Sequence, residues 1–276
     1  MEKYSKLNNA PSQYETNAIR LNKHLIPYFG DKTIKSIDPK MILDFIAIKK
    51  DIDNLKGSTI NRLLALMSKI YSEAIIWDYI QVNPVKKIKR FKENEEEMQY
   101  LKKDEVKIFL DNCGNKFYPI ATTALYTGMR RGEICGLKWD RVDLERKIIT
   151  VDKSMTGRTK SKKIRYIPIN KNLINILEDL KENRNSDFVF SRNSKGEMYK
   201  GDFRGSIKST LVRAGIKKKL RFHDLRHTFA ANYMMSGGNI TTLNKILGHS
   251  TLQMTMRYIH FSQDFIESEI DKLDFD

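Results

Sequence analysis

The sequence predicts a mainly α protein with a small β-sheet: a helical N-terminal domain followed by an α+β domain. Three observations carry this expectation. Apolar residues recur at three- and four-residue spacing over most of the chain, as in helices that bury one face. One region, 147–169, replaces that rhythm with β-branched and alternating segments. Between the first helical stretch and the rest, KKIKRFK (86–92) gives way to ENEEE (93–97), an abrupt change of sign with little apolar content that reads as a linker. The expected division is 1–90 for the helical domain, 91–99 for the linker and 100–276 for the second domain.

Residues 12–29 read as a helix, with Tyr14, Ala18, Leu21, Leu25 and Tyr28 in register, Ser12 as N-cap and Gly30 as terminator. Pro39 is placed to open a second helix that turns Ile42, Phe45 and Ile46 inward. Ser58 is the expected cap of a long helix, Thr59 to Trp77, and Asn83-Pro84 halts any helical continuation beyond it. In the second domain, helices are expected over 101–110, 118–127, 129–139, 171–182, 202–214, 224–235, 241–247 and 251–258. Strands are expected at 147–151, 162–169 and 187–190, the first two forming a hairpin tipped by the basic GRTKSKK. Phe265, Ile266, Ile270 and Leu273 make a further helix-like row in a tail that carries six acidic residues and one lysine.

The charge narrows the function classes. Among 276 residues the formal net charge is +16, an excess that points to a polyanionic partner, most often nucleic acid. The plainer reading is a basic protein with no such partner. Lys86, Lys87, Lys89 and Arg90 are the residues expected to lie against a phosphate backbone, unless they only solvate a hinge. Two cysteines, Cys113 and Cys135, make no disulfide framework and read as reduced thiols, which fits a cytoplasmic location. The start is too polar for a signal peptide, and no apolar run is long enough to span a membrane.

The C-terminal third concentrates reactive side chains. Cutting DNA without a metal needs cations on the phosphate, an in-line nucleophile, an acid for the leaving oxygen and a group to take or share the nucleophile's proton. Arg130 and Arg226 suit the first role, since guanidinium forks bind phosphate oxygens in pairs. Tyr258 suits the second; only about one phenol in a thousand is ionised at pH 7, and flanking cations are expected to raise that share. His223, His249 and Lys160 are the candidates for moving protons. Attack by the phenol exchanges one phosphodiester for a phosphotyrosine ester, so no ATP and no other cofactor is expected. His223 and His227 stand four apart, but the intervening Asp224 and Arg226 do not make a zinc motif, so no metal is expected. His24 and His260 have no assigned role.

On TGMRRGEICGL, TKSKKIRYIPI, HDLRHTFA and LGHSTLQMTMRYIH, in that order, the chain resembles the tyrosine recombinases of the phage-integrase family. The resemblance covers most of residues 100–260, and HLIPYFGDKTIKSID (24–38) is similar to that family's helical core-binding domain. It implies that Arg130, His223, Arg226 and His249 surround the scissile phosphate and that Glu133 orients the site. Tyr258 becomes the nucleophile, joined to the 3′ phosphate with release of a 5′ hydroxyl. Lys160 becomes the hairpin acid, with Lys162 and Lys163 as alternatives. The implied partner is duplex DNA with specific recombination sites, gripped by a clamp. A monomer when free would form a homotetramer in the synapse, with the terminal helix passed to a neighbour. An accessory DNA-bending protein or excisionase is implied as a further partner, and a membrane is not. The core-binding unit is expected to start almost at the first residue, with an arm-binding domain absent or removed. The expected role is integration or excision of a phage or mobile element. The alternatives are a Xer-like dimer resolvase, a topoisomerase of similar chemistry and a DNA-binding protein without catalysis.

Overall fold

A computed structural model describes residues 11–92, 98–154, 157–158, 164–193, 195–199, 201–262 and 270. Lys160, Lys162, Lys163 and most of the expected terminal helix lie outside the described residues. The chain divides into two compact units, Met1–Glu96 and Glu97–Asp276.

In the first unit, α1 (Pro11–Arg20) runs through a π-helical turn (Leu21–Leu25) into α2 (Ile26–Phe29). The wide turn sits just before Pro27, which has no N–H to donate and crowds the preceding carbonyls; Ile26 N–H bonds five residues back to Leu21 instead. The helix thus begins before Ser12, the expected cap. In α3 (Pro39–Ala47), Pro39 follows Asp38, whose side chain accepts from Met41 N–H at 2.8 Å. The next helix, α4 (Gly57–Ile76), buries Ile60, Leu63, Leu64, Met67, Tyr71 and Ala74 along one face. Lys56, not Ser58, occupies its cap position, without a side-chain cap bond.

The basic run after α4 is not a free connector. Val85 and Ile88 are buried in the core of this unit, and Phe91 exchanges hydrogen bonds with the Asn61 amide at 2.9 and 3.0 Å. That anchoring leaves Lys86, Lys87, Lys89 and Arg90 exposed.

The second unit starts with α5 (Lys103–Asp111), α6 (Tyr118–Thr127) and α7 (Arg131–Cys135). A three-stranded antiparallel sheet follows, ordered β1 (Val142–Asp143), β2 (Ile148–Val151), β5 (Arg165–Pro168), with a short pair β3 (Lys153–Ser154) and β4 (Gly157–Arg158) between β2 and β5 in sequence. Then come α8 (Lys171–Glu182), α9 (Arg204–Arg213), α10 (Phe222–Met235), α11 (Ile240–Leu247) and α12 (Gln253–Met256). The helix expected over 129–139 shrinks to α7, which ends at Gly136. No strand forms at 187–190; Phe188 makes an isolated bridge to Lys138. Tyr258 lies beyond α12, in a turn that leads into a 3₁₀ segment, Ile259–Ser262, rather than at the end of one helix.

Helix α6 is buried on nearly every side, and the Thr122 and Thr123 hydroxyls return to the carbonyls four residues back, each at 2.8 Å. It ends at Gly128 with φ +62°. A Cβ there would lie 2.5 Å from Phe229 Cδ1 and 2.8 Å from Leu247 Cδ2. Gly128→Ala is therefore expected to destabilise the second unit by more than the roughly 1–2 kcal/mol of left-handed backbone strain alone, read as a lower urea midpoint.

Candidate active site

Helix α10 is the spine of the site. The Asp224 carboxylate caps it by accepting from Arg221 N–H at 2.6 Å. One turn in, Arg226 is 2% exposed. Its Nη1 donates to Gly128 O and its Nη2 to Leu247 O, both at 2.7 Å. These carbonyls close α6 and α11, so the guanidinium bridges the negative ends of two helices. Burial, then neighbouring Arg130, lowers its pKa to about 9, which still leaves it cationic at pH 7.

Arg130 reaches the same place from the loop before α7. Its backbone N–H donates to Glu133 Oε2 at 2.8 Å, and its Nη1 donates to Glu133 Oε1 at 3.1 Å and to Leu247 O at 3.5 Å. Arg130 and Arg226, 96 positions apart in sequence, thus share one carbonyl oxygen. Glu133 is 2% exposed and holds a second partner, Arg165 of β5, through two hydrogen bonds at 3.1 and 2.6 Å. Arg165 Nε donates to Ile246 O at 2.8 Å, which ties the sheet to the end of α11. Burial pushes the Glu133 carboxyl up, but Arg165 and then Arg130 more than reverse that, and it lies below the ordinary carboxylate range.

Gly248, at φ +64°, ends α11 and turns the chain so that His249 follows. The half-buried His249 places Nδ1 2.7 Å from Thr255 Oγ1. Its pKa falls to about 4 through burial, with Arg226 and Arg130 adding to the effect. His223 keeps an exposed surface, yet its pKa is also lowered, first by partial loss of water around the ring and then by Arg226. Both imidazoles are thus favoured as neutral bases at pH 7.

Tyr258 is 1% exposed and packs with Ala230, Met234, Leu243 and Leu247. Its Oη lies 2.6 Å from His227 Nδ1. Burial raises the phenol pKa, and the opposing pull of Arg226, Arg257 and Arg130 does not cancel it. The expected gain in ionised phenol from flanking cations is therefore reversed. The phenolate loses more hydration in this pocket than the guanidiniums return.

Arg130, Glu133, His223, Arg226, His249 and Tyr258 come together around α10 and the end of α11. Lys160 and its alternatives are outside the described residues. Lys86, Lys87, Lys89 and Arg90 belong to the other unit. Two members of the cluster are not among the residues that the sequence singles out for the site. Arg165 is legible in principle, since alternation along β5 puts it on the buried face with Ile167. His227 reads from the sequence only as a metal-ligand candidate, and nothing local in HDLRH ties it to a tyrosine 31 residues away.

Two guanidinium groups converge beside a phenol and neutral imidazoles within the second unit, the set of groups that a DNA strand-transferring tyrosine recombinase requires. Residues 99–264 match the model of the phage integrase family, and residues 2–90 match the phage integrase central domain. The integrase of Escherichia phage 186 is 33% identical over 262 residues, covering 90% of this chain and 72% of that protein. The integrase of Haemophilus phage HP1 is 31% identical over 263 residues, covering 90% and 71%. Among solved structures, the Tn1549 transposon integrase in complex with transposon right end DNA superposes with a TM-score of 0.81 at 21% identity, covering 98% of this chain and 96% of that one. A lambda integrase dimer bound to a core site gives 0.76 at 18% identity, with 92% and 94% covered. The chain belongs to the phage integrase family.

Proposed function

We propose that this recombinase cuts and reseals one DNA strand at a time at specific sites, with Tyr258 as nucleophile, to integrate or excise a phage or other mobile element. The observation that carries the reading is the shared Leu247 carbonyl: Arg130 and Arg226 already meet at one oxygen, the arrangement that two cations need to hold a single phosphate. Glu133 positions Arg130, and Arg165 keeps Glu133 in place. With Nδ1 engaged by Thr255, His249 has Nε2 left for a phosphate oxygen. Tyr258 Oη attacks phosphorus, and the departing 5′ oxygen takes its proton from Lys160, Lys162 or Lys163 of the hairpin. Resealing is the reverse, with no net change in bond type.

The partner in this reading is duplex DNA, and the working form is a tetramer in the synapse. A lambda integrase tetramer bound to a Holliday junction superposes with a TM-score of 0.76. The exposed Lys86, Lys87, Lys89 and Arg90 are assigned to the phosphate backbone. Among the described residues no helix is long and apolar enough to cross a membrane.

The central test uses a nicked suicide duplex that loses its leaving strand after cleavage. An SDS-resistant protein–DNA adduct is expected, with the DNA attached to the peptide that contains Tyr258; attachment elsewhere would overturn the assignment. Affinity for the same duplex is expected to fall by about 10³ to 10⁵ between roughly 50 and 200 mM salt, as for roughly six to ten phosphate contacts. A flat response in a filter-binding titration would remove the basic residues from the interface.

A further inference from the structure

We propose that His227 accepts the proton of the Tyr258 phenol during strand cleavage, a catalytic role for the second histidine of HDLRH. The proposal rests on Tyr258 being the nucleophile. Among the imidazoles of the cluster, His227 is the one in contact with the phenol, Nδ1 to Oη at 2.6 Å. His249 spends its Nδ1 on Thr255, and His223 packs edge-on against the His227 ring with centroids 4.8 Å apart. Tyr258 is 1% exposed, and among the described residues Nδ1 is the acceptor within reach of its hydroxyl. A buried O–H needs an acceptor, so the phenol donates and His227 carries its own proton on Nε2.

The electrostatics suit a base that acts only when needed. His223, Arg257 and Arg226 face His227 with positive or polar groups, and Asp224 opposes them. Burial first, and then the neighbouring His223, Arg257 and Arg226, lower its pKa to about 4, while burial raises the phenol. At rest the proton therefore stays on Tyr258, and no phenolate has to be desolvated. Arg226, adjacent to His227 on α10, is the strongest cationic influence on the phenol, and in this reading it is also a grip on the phosphate. A bound phosphate adds negative charge near His227 and raises its basicity. As the Oη–P bond forms and the P–O5′ bond breaks, Oη loses its affinity for the proton. The proton passes to Nδ1, and O5′ is protonated by the hairpin lysine. In resealing, Nδ1 returns the proton to Oη.

The test compares single-turnover adduct formation by the parent, His227→Gln and His227→Asn on the nicked duplex, at saturating protein, from mildly acidic to strongly alkaline pH. Two amide replacements guard against one that does not fold, and equilibrium binding of the duplex checks that the site is intact. At neutral pH the rate is expected to fall roughly 10²-fold, the lower range for loss of a general base, with binding unchanged. The deficit should shrink as pH rises and hydroxide replaces the imidazole. A duplex with sulfur at the bridging 5′ position, whose thiolate leaves without a proton, should not rescue these variants. Parent-like rates at all pH values, an equal deficit at all pH values, rescue by the sulfur substrate or faster cleavage would each overturn the proposal. Tyr258→Phe is run alongside: if it still forms the adduct, the nucleophile assignment fails, and if it alone is inactive, only the role of His227 fails.

Discussion

Tyr258→Phe is expected to bind recombination-site DNA like the parent and to form no covalent adduct. The ring stays in its pocket among Ala230, Met234, Leu243 and Leu247, so the packing is kept. The guanidiniums that would hold the phosphate are untouched, since neither bonds to the phenol oxygen. What disappears is the single atom that attacks. The change also leaves His227 Nδ1 without its partner in a buried site, which costs about 1–3 kcal/mol. A modest drop in thermal midpoint should therefore accompany the loss of chemistry, and adduct assays belong well below that midpoint. Adduct at the parent's yield would remove Tyr258 from the mechanism.

Glu133→Ala is expected to lower stability by about 3–5 kcal/mol, the usual consequence of stripping one partner from a buried ion pair. Against a typical domain stability of about 5–15 kcal/mol, that is enough to leave the second unit partly unfolded at warm temperatures. The cause is specific. Among the described residues, the Arg165 guanidinium, 7% exposed, would keep only its Nε bond to Ile246 O. Arg130 would lose the bonds that its backbone N–H and its Nη1 make to this carboxylate. Urea unfolding followed by circular dichroism reads the loss, and a shift within a few tenths of a kcal/mol would show that Glu133 does not organise the site.

The same pair predicts a pH dependence. The folded-state pKa of Glu133 lies below its unfolded value, near 4.3 by the usual reference. Its contribution is therefore present above that unfolded value and disappears as pH falls through the lower folded one. The parent should lose stability across that acid window, and Glu133→Gln should lack this component of the loss.

Much of the fold was readable because helices and strands are local. The apolar run 118–127 and the amphipathic stretch 171–182 match α6 and α8 to the residue, since the first is buried on nearly every side, the second has a continuous apolar face, and each has a clear end. Errors fall where another force takes over. The widened turn before Pro27 comes from a missing donor. The apolar stretch 187–190 looks like a strand, but it lies beside Leu137 and Lys138 through only a few backbone bonds. The segment before Tyr258 breaks into a short helix and a turn although its composition permits a single helix.

The reactive residue types, their order and the family were determined by the sequence alone, because motifs preserve which side chains are available and how close they lie along one helix. Only the tertiary structure decided that Arg226 bridges two helix ends, that Arg165 completes the Glu133 pair, and that His227 faces Tyr258. Each of these joins segments between 21 and 98 positions apart. The ionisation of the phenol belongs to the same class. Spacing counts the cations near a tyrosine, but the water removed from it depends on the walls that α10, α11 and their neighbours build, and here those walls outweigh the charges.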